Sequence, residues 1–454
     1  MWTLYFFWVG ACEPIMGVVI DALRDRGVYP STIIIVLTPI WTYQFLALFT
    51  PSSPDPWRLL AVLLPFGWMQ ATMLMLTTTL FQSSFPAGVA RQAASTPRQL
   101  LAIIGLLVGM VSPPLLSSDW TTTHAMARTL AVGAGSGLML GALLLRSLQS
   151  TLDALEPEAA PAAQRKPQGP AAVAPKVGHV QRLLEIVGVF SHPTFRYMLL
   201  MSAISQHGNA LFSTSLQAFL HNVAKVRSPT PPFLCSGGAI AGFLKSIPHF
   251  QGWDMTHQGC LVSPISVKWQ KGLVPISFYL ANLAMAPLVS RLSKQWGAQR
   301  TLATEYRVYA CILFLSPLMV MLVEGSSYST EITSLLVMIA TAILLGCAAA
   351  GLSLLPDVVI SKYVDEDAIE KKRSRAGAFF GARQVANRAG SALASGVSGL
   401  VLSGVGFSAT QDTPAPLVSQ GISFICFIVP ALCYLVSSEI GYRTMAPFLR
   451  EKAD

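Results

Sequence analysis

The first residue that could do chemistry is a carboxylate within an apolar segment. Glu13 is the only charged residue of the segment 2–20. A carboxylate at the centre of a bilayer costs about 3 kcal/mol, so it normally faces a cavity or an oppositely charged partner. We therefore predict that Glu13 binds a proton, Na⁺ or a solute group. The alternative is a residue near a helix end that reaches interfacial water.

A basic pair lies within a second apolar segment, 378–404. Arg383 and Arg388 are five positions apart, which places them on different faces of a helix. Arg388 is the deeper of the two, and we predict that it pairs with a membrane carboxylate or with an anionic group of a solute. Arg383 is predicted to lie nearer the cytosolic rim.

Further charges lie at the ends of apolar segments. Arg98 follows Pro97 where a segment begins, and it is either a site residue or a basic flank of a cytosolic helix end. Asp21 and Arg24 follow the first apolar segment, in a short charged turn. We predict that this turn forms part of a cytosolic gate.

The connection 355–377 carries the densest charge in the chain. Four acidic residues lie between positions 365 and 370, and four basic residues lie between 371 and 375. Such a stretch is either a solvated helix with ion pairs or a gate whose charge pairs form and break. Asp357 and Arg373 are the residues of this connection that we predict to act in the gate.

The composition places these residues in a membrane protein. Of the 454 residues, 52% are hydrophobic and 12% are charged, whereas soluble domains are about 25% charged. The net charge is +9, but the basic residues are scattered among connections, so no nucleic-acid partner is predicted. Neither a metal-ligand spacing nor a nucleophile elbow occurs, and we predict no enzyme, no metal and no cofactor.

Eleven apolar segments are long enough to cross a bilayer, which takes roughly 20 residues per helix. They are 2–20, 32–50, 59–81, 99–117, 129–147, 195–222, 272–291, 308–324, 333–355, 378–404 and 419–437. The predicted fold is therefore an all-α polytopic membrane protein.

The connections predict two bundles and an orientation. Lys and Arg concentrate in alternate connections, which places the N-terminus outside and the C-terminus in the cytosol. The Ala- and Pro-rich stretch 149–193 has the composition of a flexible linker. It separates a five-span bundle, 1–148, from a six-span bundle, 194–440, which is followed by a cytosolic tail, 441–454. Within the second bundle, 223–271 is either an extracytoplasmic loop or an artefact of the gene model.

A weak repeat relates the two bundles. The first and seventh segments each contain a proline and end in a short basic turn, closed by Gly27 in one and Gly297 in the other. If both are the second helix of a six-helix half, the chain lacks the first of twelve helices. Two parallel six-helix halves joined by a cytosolic linker form the major facilitator architecture.

Four short motifs resemble one major facilitator family. The runs 13–17, 97–99, 355–359 and 373–381 resemble motifs of the glycoside–pentoside–hexuronide:cation symporters. That family includes melibiose carriers and eukaryotic relatives that move lysolipids or small amino-acid-like solutes. The resemblance extends over nearly the whole chain.

The resemblance implies roles for individual residues. Glu13 matches an acidic residue of the family's cation site, whereas Val9 and Thr78 stand where the family has further acidic residues. This favours a proton, or no coupling ion, over Na⁺. Arg388 falls where melibiose carriers have a lysine. The family's solute-contacting positions fall near two neighbouring residues, Arg383 and Gln384.

Taken together, these patterns predict a monomeric secondary active transporter in a lipid bilayer. It would move a small organic solute by alternating access, with H⁺ or Na⁺ as the coupling ion. The plasma membrane and an internal membrane fit equally well. Two alternatives remain: a non-transporting scaffold or receptor of the same fold, and an inactive isoform that lacks the first helix.

Overall fold

In the computed structural model, the described residues are almost wholly helical. The described residues are 2–48, 56–84, 94, 97–98, 100–105, 120–155, 188–190, 192–222, 254–255, 261–262, 264–324, 331–371, 375–407 and 416–450. Four long helices come first: α1 (Trp2–Asp25), α2 (Pro30–Leu48), α3 (Pro56–Ser84) and α4 (Trp120–Leu155).

Seven further helices follow along the chain. They are α5 (Phe195–Asn222), α6 (Pro264–Trp296), α7 (Ala298–Glu324), α8 (Glu331–Lys371), α9 (Ala376–Gly404), α10 (Pro416–Ser423) and α11 (Val429–Arg450). A π-helical turn, Phe424–Ile428, lies between α10 and α11. Two short antiparallel strands, β1 (Asp254–Met255) and β2 (Leu261–Val262), lie between α5 and α6.

Helices lie at ten of the eleven predicted spans. Of the remaining segment, 99–117, the structure describes residues 100–105, which are helical. Among the described residues, six helices are long and apolar enough to cross a membrane, and the apolar part of α1 is shorter. The six are Pro30–Leu48, Trp57–Phe81, Ala127–Ser147, Leu273–Trp296, Leu335–Glu370 and Leu417–Thr444.

Two helices extend into predicted connections. The first eight residues of α6 fall within the predicted loop 223–271, because the helix begins at Pro264. The longer extension is that of α8, which continues through Pro356 to Lys371. Its 41 residues span about 60 Å at 1.5 Å per residue, about twice the hydrocarbon thickness. Most of the charged connection 355–377 is therefore a continuation of a membrane helix.

The two turns of the predicted repeat end in the same way. Gly27 follows α1 with φ of 80°, and Gly297 follows α6 with φ of 84°. This left-handed conformation favours glycine and is common just after the last residue of a helix. The amide of Val28 also bonds to the carbonyl of Leu23, which closes the turn after α1 (3.0 Å).

The chain divides into two compact units. Unit 1 comprises Met1–Arg91, Ala127–Leu199 and Ile360–Ala389, and unit 2 comprises Gln92–Met126, Leu200–Val359 and Gly390–Asp454. In unit 1, the rings of Trp41 and Phe45 stack, and Phe45 stacks on Phe66 of α3.

The core of unit 2 is the contact between α7 and α11. Tyr434 of α11 stacks on Tyr306 and meets the edge of Tyr309, and all three rings are buried. The hydroxyl of Ser438 donates to the carbonyl of Ala303 at 2.8 Å. These contacts hold α7 in place beside the cavities described below.

Candidate functional site

The predicted intramembrane charges form an ion pair in unit 1. Arg388 of α9 donates from Nε (3.1 Å) and Nη2 (2.9 Å) to one carboxyl oxygen, Oε1, of Glu13 on α1. The Glu13 side chain is completely buried, whereas the Arg388 side chain is 24% exposed. Each charge therefore has the counter-charge that an apolar environment requires.

Close helix packing positions this pair. A Cβ on Gly10 would lie 2.9 Å from Cβ of Arg388, and a Cβ on Gly17 would lie 2.8 Å from the carbonyl oxygen of Gly377. Gly381 of α9 packs equally closely against the backbone of α1. Small residues let two helices approach until their backbones touch. The Glu13 side chain is therefore held within a contact that larger residues would open.

Half of the Glu13 carboxylate lacks a partner among the described residues. Its Oε2 atom is buried and accepts no hydrogen bond there. A buried polar atom without a partner is costly, so it marks a position where a proton, a cation or a solute donor would be stabilised. The geometry therefore leaves one acceptor of this ion pair available.

A second predicted site residue pairs with a predicted gate residue. Within unit 2, Arg98 donates from Nη1 to Oδ2 of Asp357 on α8, at 3.3 Å. The two side chains are 36% and 32% exposed, so solvent screens the pair and its net stabilisation is about 1 kcal/mol or less. The structure thus joins Arg98 to α8 at a residue of the predicted gate.

The other predicted site and gate residues are described to different extents. Arg383 and Gln384 are half-buried on α9, and Gln384 accepts a bond from Asn387 at 3.4 Å. Asp21 and Arg24 lie near the end of α1, and the described part of the structure does not include their side chains. Arg373 lies outside the described residues.

One buried ion pair was not predicted individually. Asp367 of α8 is 3% exposed and accepts two bonds from Arg375, one of them from Nε at 2.8 Å. Asp367 belongs to the acidic run, and no feature of that run distinguishes it from its neighbours. Its burial excludes the interpretation that the whole connection is a solvated helix.

Unit 2 contains two adjacent cavities that the sequence did not reveal. The larger has a volume of about 400 Å³, within the range of about 300–1,000 Å³ typical of small-molecule sites. Its described lining carries amides, hydroxyls and aromatic rings but no charged side chain, and includes Gln206, Asn209, Tyr279, Asn282, Ser353 and Tyr434. The smaller cavity, of about 140 Å³, shares Asn209 and Tyr279 with it.

One polar group in the larger cavity lacks a partner among the described residues. Asn282 is 2% exposed, and its amide donates to Ser353 at 3.5 Å. Its Oδ1 atom is buried and has no described hydrogen-bond donor. The cavity therefore offers an acceptor to a bound molecule. Among the described residues, no cluster of three or more His, Cys, Asp or Glu is arranged to hold a metal ion.

The C-terminal part of the chain matches a transporter family. Residues 270–444 match the sequence profile of the family described as MFS/sugar transport protein. No curated protein sequence matches the chain significantly.

The fold is similar to that of several solved transporters. A variant of the nucleoside transporter NupG is 13% identical, with a TM-score of 0.55 over 98% of this chain and 90% of that one. A bacterial homologue of the human drug peptide transporters PepT1 and PepT2 is 15% identical, with a TM-score of 0.53 over 99% and 91%. A bacterial homologue of the iron transporter ferroportin is 11% identical, with a TM-score of 0.53 over 98% and 89%.

This chain is a multi-pass membrane protein with the major facilitator fold. The family match and the transporter structures support a membrane transporter. The narrower resemblance to glycoside–pentoside–hexuronide:cation symporters stays a prediction, because neither the matched family nor the similar structures carry that name.

Proposed function

We propose that this protein is a secondary transporter that moves a small, uncharged organic solute across a membrane by alternating access. The observation that carries the proposal is the buried ion pair of Glu13 and Arg388, which joins α1 to α9 across 375 positions of sequence. A buried pair is weak evidence for stability alone, because an apolar pair of similar volume is often as stable. We therefore attribute the Glu13–Arg388 pair to a function that requires charged side chains.

The pair would act as a switch in the transport cycle. A proton or cation that binds Oε2 of Glu13 weakens the hold of the carboxylate on Arg388, because the two positive charges compete for one negative charge. Loss of the pair would free α1 and α9 to separate, and release of the ion would restore the contact. This links ion binding to the conformation of the helices.

A proton suits this role better than Na⁺. Na⁺ requires several oxygen ligands, and the two positions at which the resemblance implies further carboxylates do not supply them. Val9 has no side-chain oxygen, and Thr78 offers a neutral hydroxyl in place of a negatively charged carboxylate. We therefore propose proton-coupled symport.

The solute would bind in the larger cavity of unit 2. Amide and hydroxyl groups line it together with tyrosine rings, and its described lining is uncharged. Such a lining suits an uncharged molecule that has hydroxyl groups and an apolar ring face. The matched family is described by sugar transport, and one similar structure is a nucleoside transporter. Both solutes have this chemistry.

Flux through proteoliposomes tests the proposal. Purified protein in liposomes with an imposed pH gradient should accumulate a member of a panel of sugars and nucleosides against its gradient. Glu13→Gln should abolish this accumulation while exchange of solute between equal concentrations continues. The control Glu439→Gln, an exposed carboxylate on α11, should behave as wild type.

Two results would contradict the proposal. Uphill, pH-dependent uptake by Glu13→Gln would show that Glu13 is not the coupling carboxylate. If no panel member crosses the membrane and none raises the melting temperature of the protein in detergent, the scaffold or receptor alternative is favoured.

A further inference from the structure

A second buried carboxylate lies in unit 2, on α7. Glu305 is half-buried as a residue, and its Oε2 atom is buried with no hydrogen-bond partner among the described residues. It lies before the predicted span 308–324, between Arg300 and Arg307 in sequence. That position predicts an exposed residue at a helix end. The structure instead turns the carboxylate into the contact between α7 and α8.

Gly351 of α8 makes room for this carboxylate. A Cβ at position 351 would lie 2.7 Å from Cγ of Glu305 and 2.8 Å from Cδ. The carboxyl group is therefore packed against the backbone of α8, where any larger residue would displace it. Tyr306 and Leu352, the residues next to Glu305 and Gly351, line the larger cavity.

No cation balances Glu305 in the described part of the chain. From α8, Cys347 is the titratable group that interacts with it electrostatically. From α11, Glu439 is engaged by Arg307 at 3.5 Å and by Arg443 at 2.9 Å.

The other titratable groups near α7 lie on α11, α6 and the π-helical turn. Tyr442 of α11 bonds to Thr304 at 2.8 Å, and Tyr434 packs on the α7 tyrosines. On α6, Tyr279 lines the cavities, whereas Arg291 and Lys294 are exposed. Cys426 of the π-helical turn is a buried thiol.

We propose that Glu305 is a second proton-binding site, separate from the Glu13–Arg388 pair, and that its proton is one of those coupled to solute movement. This role rests on the proposed transport function. A carboxylate that is buried without a cation is stabilised in its neutral form. When Glu305 loses its proton, the Oε2 atom carries negative charge without a partner, which weakens the contact of α7 with α8 beside the cavity.

The ionisation behaviour agrees with the geometry. Burial raises the pKa of Glu305 from 4.5 to about 7, and the backbone amide of Gly351 offsets part of this rise. A carboxyl group with this pKa gains and loses its proton near neutral pH.

A pH titration that needs no transport tests the proton site. The melting temperature of the purified protein in detergent, followed from pH 5 to 9, should fall as the pH rises to about 7 and should level off above it. Glu305→Gln, which resembles the protonated acid, should remove this transition. Glu439→Gln, an exposed carboxylate in the same unit, should keep it. Gly351→Ala should make the fall end at a lower pH, because displacement of the carboxyl group exposes it to water.

Flux measurements then test the coupling. In proteoliposomes, Glu305→Gln should lose the pH dependence of solute uptake near neutral pH and retain exchange. A wild-type pH transition in Glu305→Gln would overturn the proton site. Loss of the transition with unchanged pH-dependent uptake would overturn its part in coupling. A wild type without any flux would instead reject the proposed function, and the titration would still decide whether Glu305 binds a proton.

Discussion

The Glu13–Arg388 pair makes an asymmetric prediction about stability. Removing one partner of a buried ion pair costs about 3–5 kcal/mol, because the other charge is left uncompensated. The two partners differ in exposure, since the Glu13 side chain is 0% exposed and the Arg388 side chain is 24% exposed. Glu13→Gln leaves Arg388 without a counter-charge, but the partly exposed guanidinium regains some hydration. We therefore expect the free energy of unfolding to fall by about 3 kcal/mol.

The reverse change should cost more. Arg388→Met leaves the Glu13 carboxylate without a counter-charge and without access to water. We therefore expect the free energy of unfolding to fall by about 5 kcal/mol. The double variant Glu13→Gln/Arg388→Met removes both charges and should lose only about 1–2 kcal/mol, because no isolated charge remains. The resulting coupling energy of about 6 kcal/mol is far above the value of about 1 kcal/mol or less for an exposed pair.

A double-mutant cycle measures these quantities. The free energy of unfolding is obtained for the wild type, both single variants and the double variant in mixed detergent micelles of increasing denaturing strength. The interaction energy isolates the pair only if the single variants create no new contacts. Single losses below about 1 kcal/mol, or additive losses in the double variant, would refute a buried pair. A larger loss for Glu13→Gln than for Arg388→Met would refute the assigned difference in exposure.

Three further changes test other parts of the structure. Asp367→Asn should lower the free energy of unfolding by about 3 kcal/mol, because Arg375 keeps its charge in a half-buried position; calorimetry in detergent measures this. Gly381→Val should disrupt the contact of α9 with α1, where even a Cβ would lie 2.9 Å from a backbone atom, and gel filtration should show loss of monodisperse protein. Asn282→Leu should raise the KM for solute at least tenfold, since a cavity hydrogen bond is lost, with little change in melting temperature.

A pH-linked prediction concerns Glu305. Its raised pKa, about 7 in the folded protein against 4.5, means that the folded state binds more protons than the unfolded state between these values. The stability contribution is therefore present below pH 4.5 and is lost as pH rises through 7, by at most about 3 kcal/mol. The difference in free energy of unfolding between wild type and Glu305→Gln, measured from pH 4 to 8, should fall over this interval.

Glu13 and Arg388 could be identified from the sequence because each is a charged residue inside an apolar segment. A charged residue in a bilayer is costly, so it normally has an oppositely charged partner or a functional role. Two such residues of opposite sign therefore suggest an ion pair from the sequence alone. The folded chain brings them together, although their roles in transport stay predictions. The glycines that permit the contact have no such signal, because glycines occur in many places where nothing packs closely.

The burial of Glu305 could not be predicted from the sequence. A glutamate between two arginines at the start of an apolar helix resembles a solvated helix end, and only the approach of Gly351 on a helix 46 positions later encloses it. The same limitation applied to Asp367, one of four acidic residues in a short run. Which member of a charged run becomes buried depends on the rotation of its helix against a neighbour, and local composition does not encode that rotation.

The sequence by itself determined the class of the molecule, the positions of its apolar helices and the presence of rare intramembrane charges. Composition and hydropathy act locally, since each segment of about 20 apolar residues must cross a bilayer whatever surrounds it. The tertiary structure decided which charges meet, which carboxylate lacks a cation and where a cavity of uncharged polar groups remains. These features depend on contacts between residues far apart in the chain, such as the pair of Glu13 and Arg388, so only the packing of whole helices could establish them.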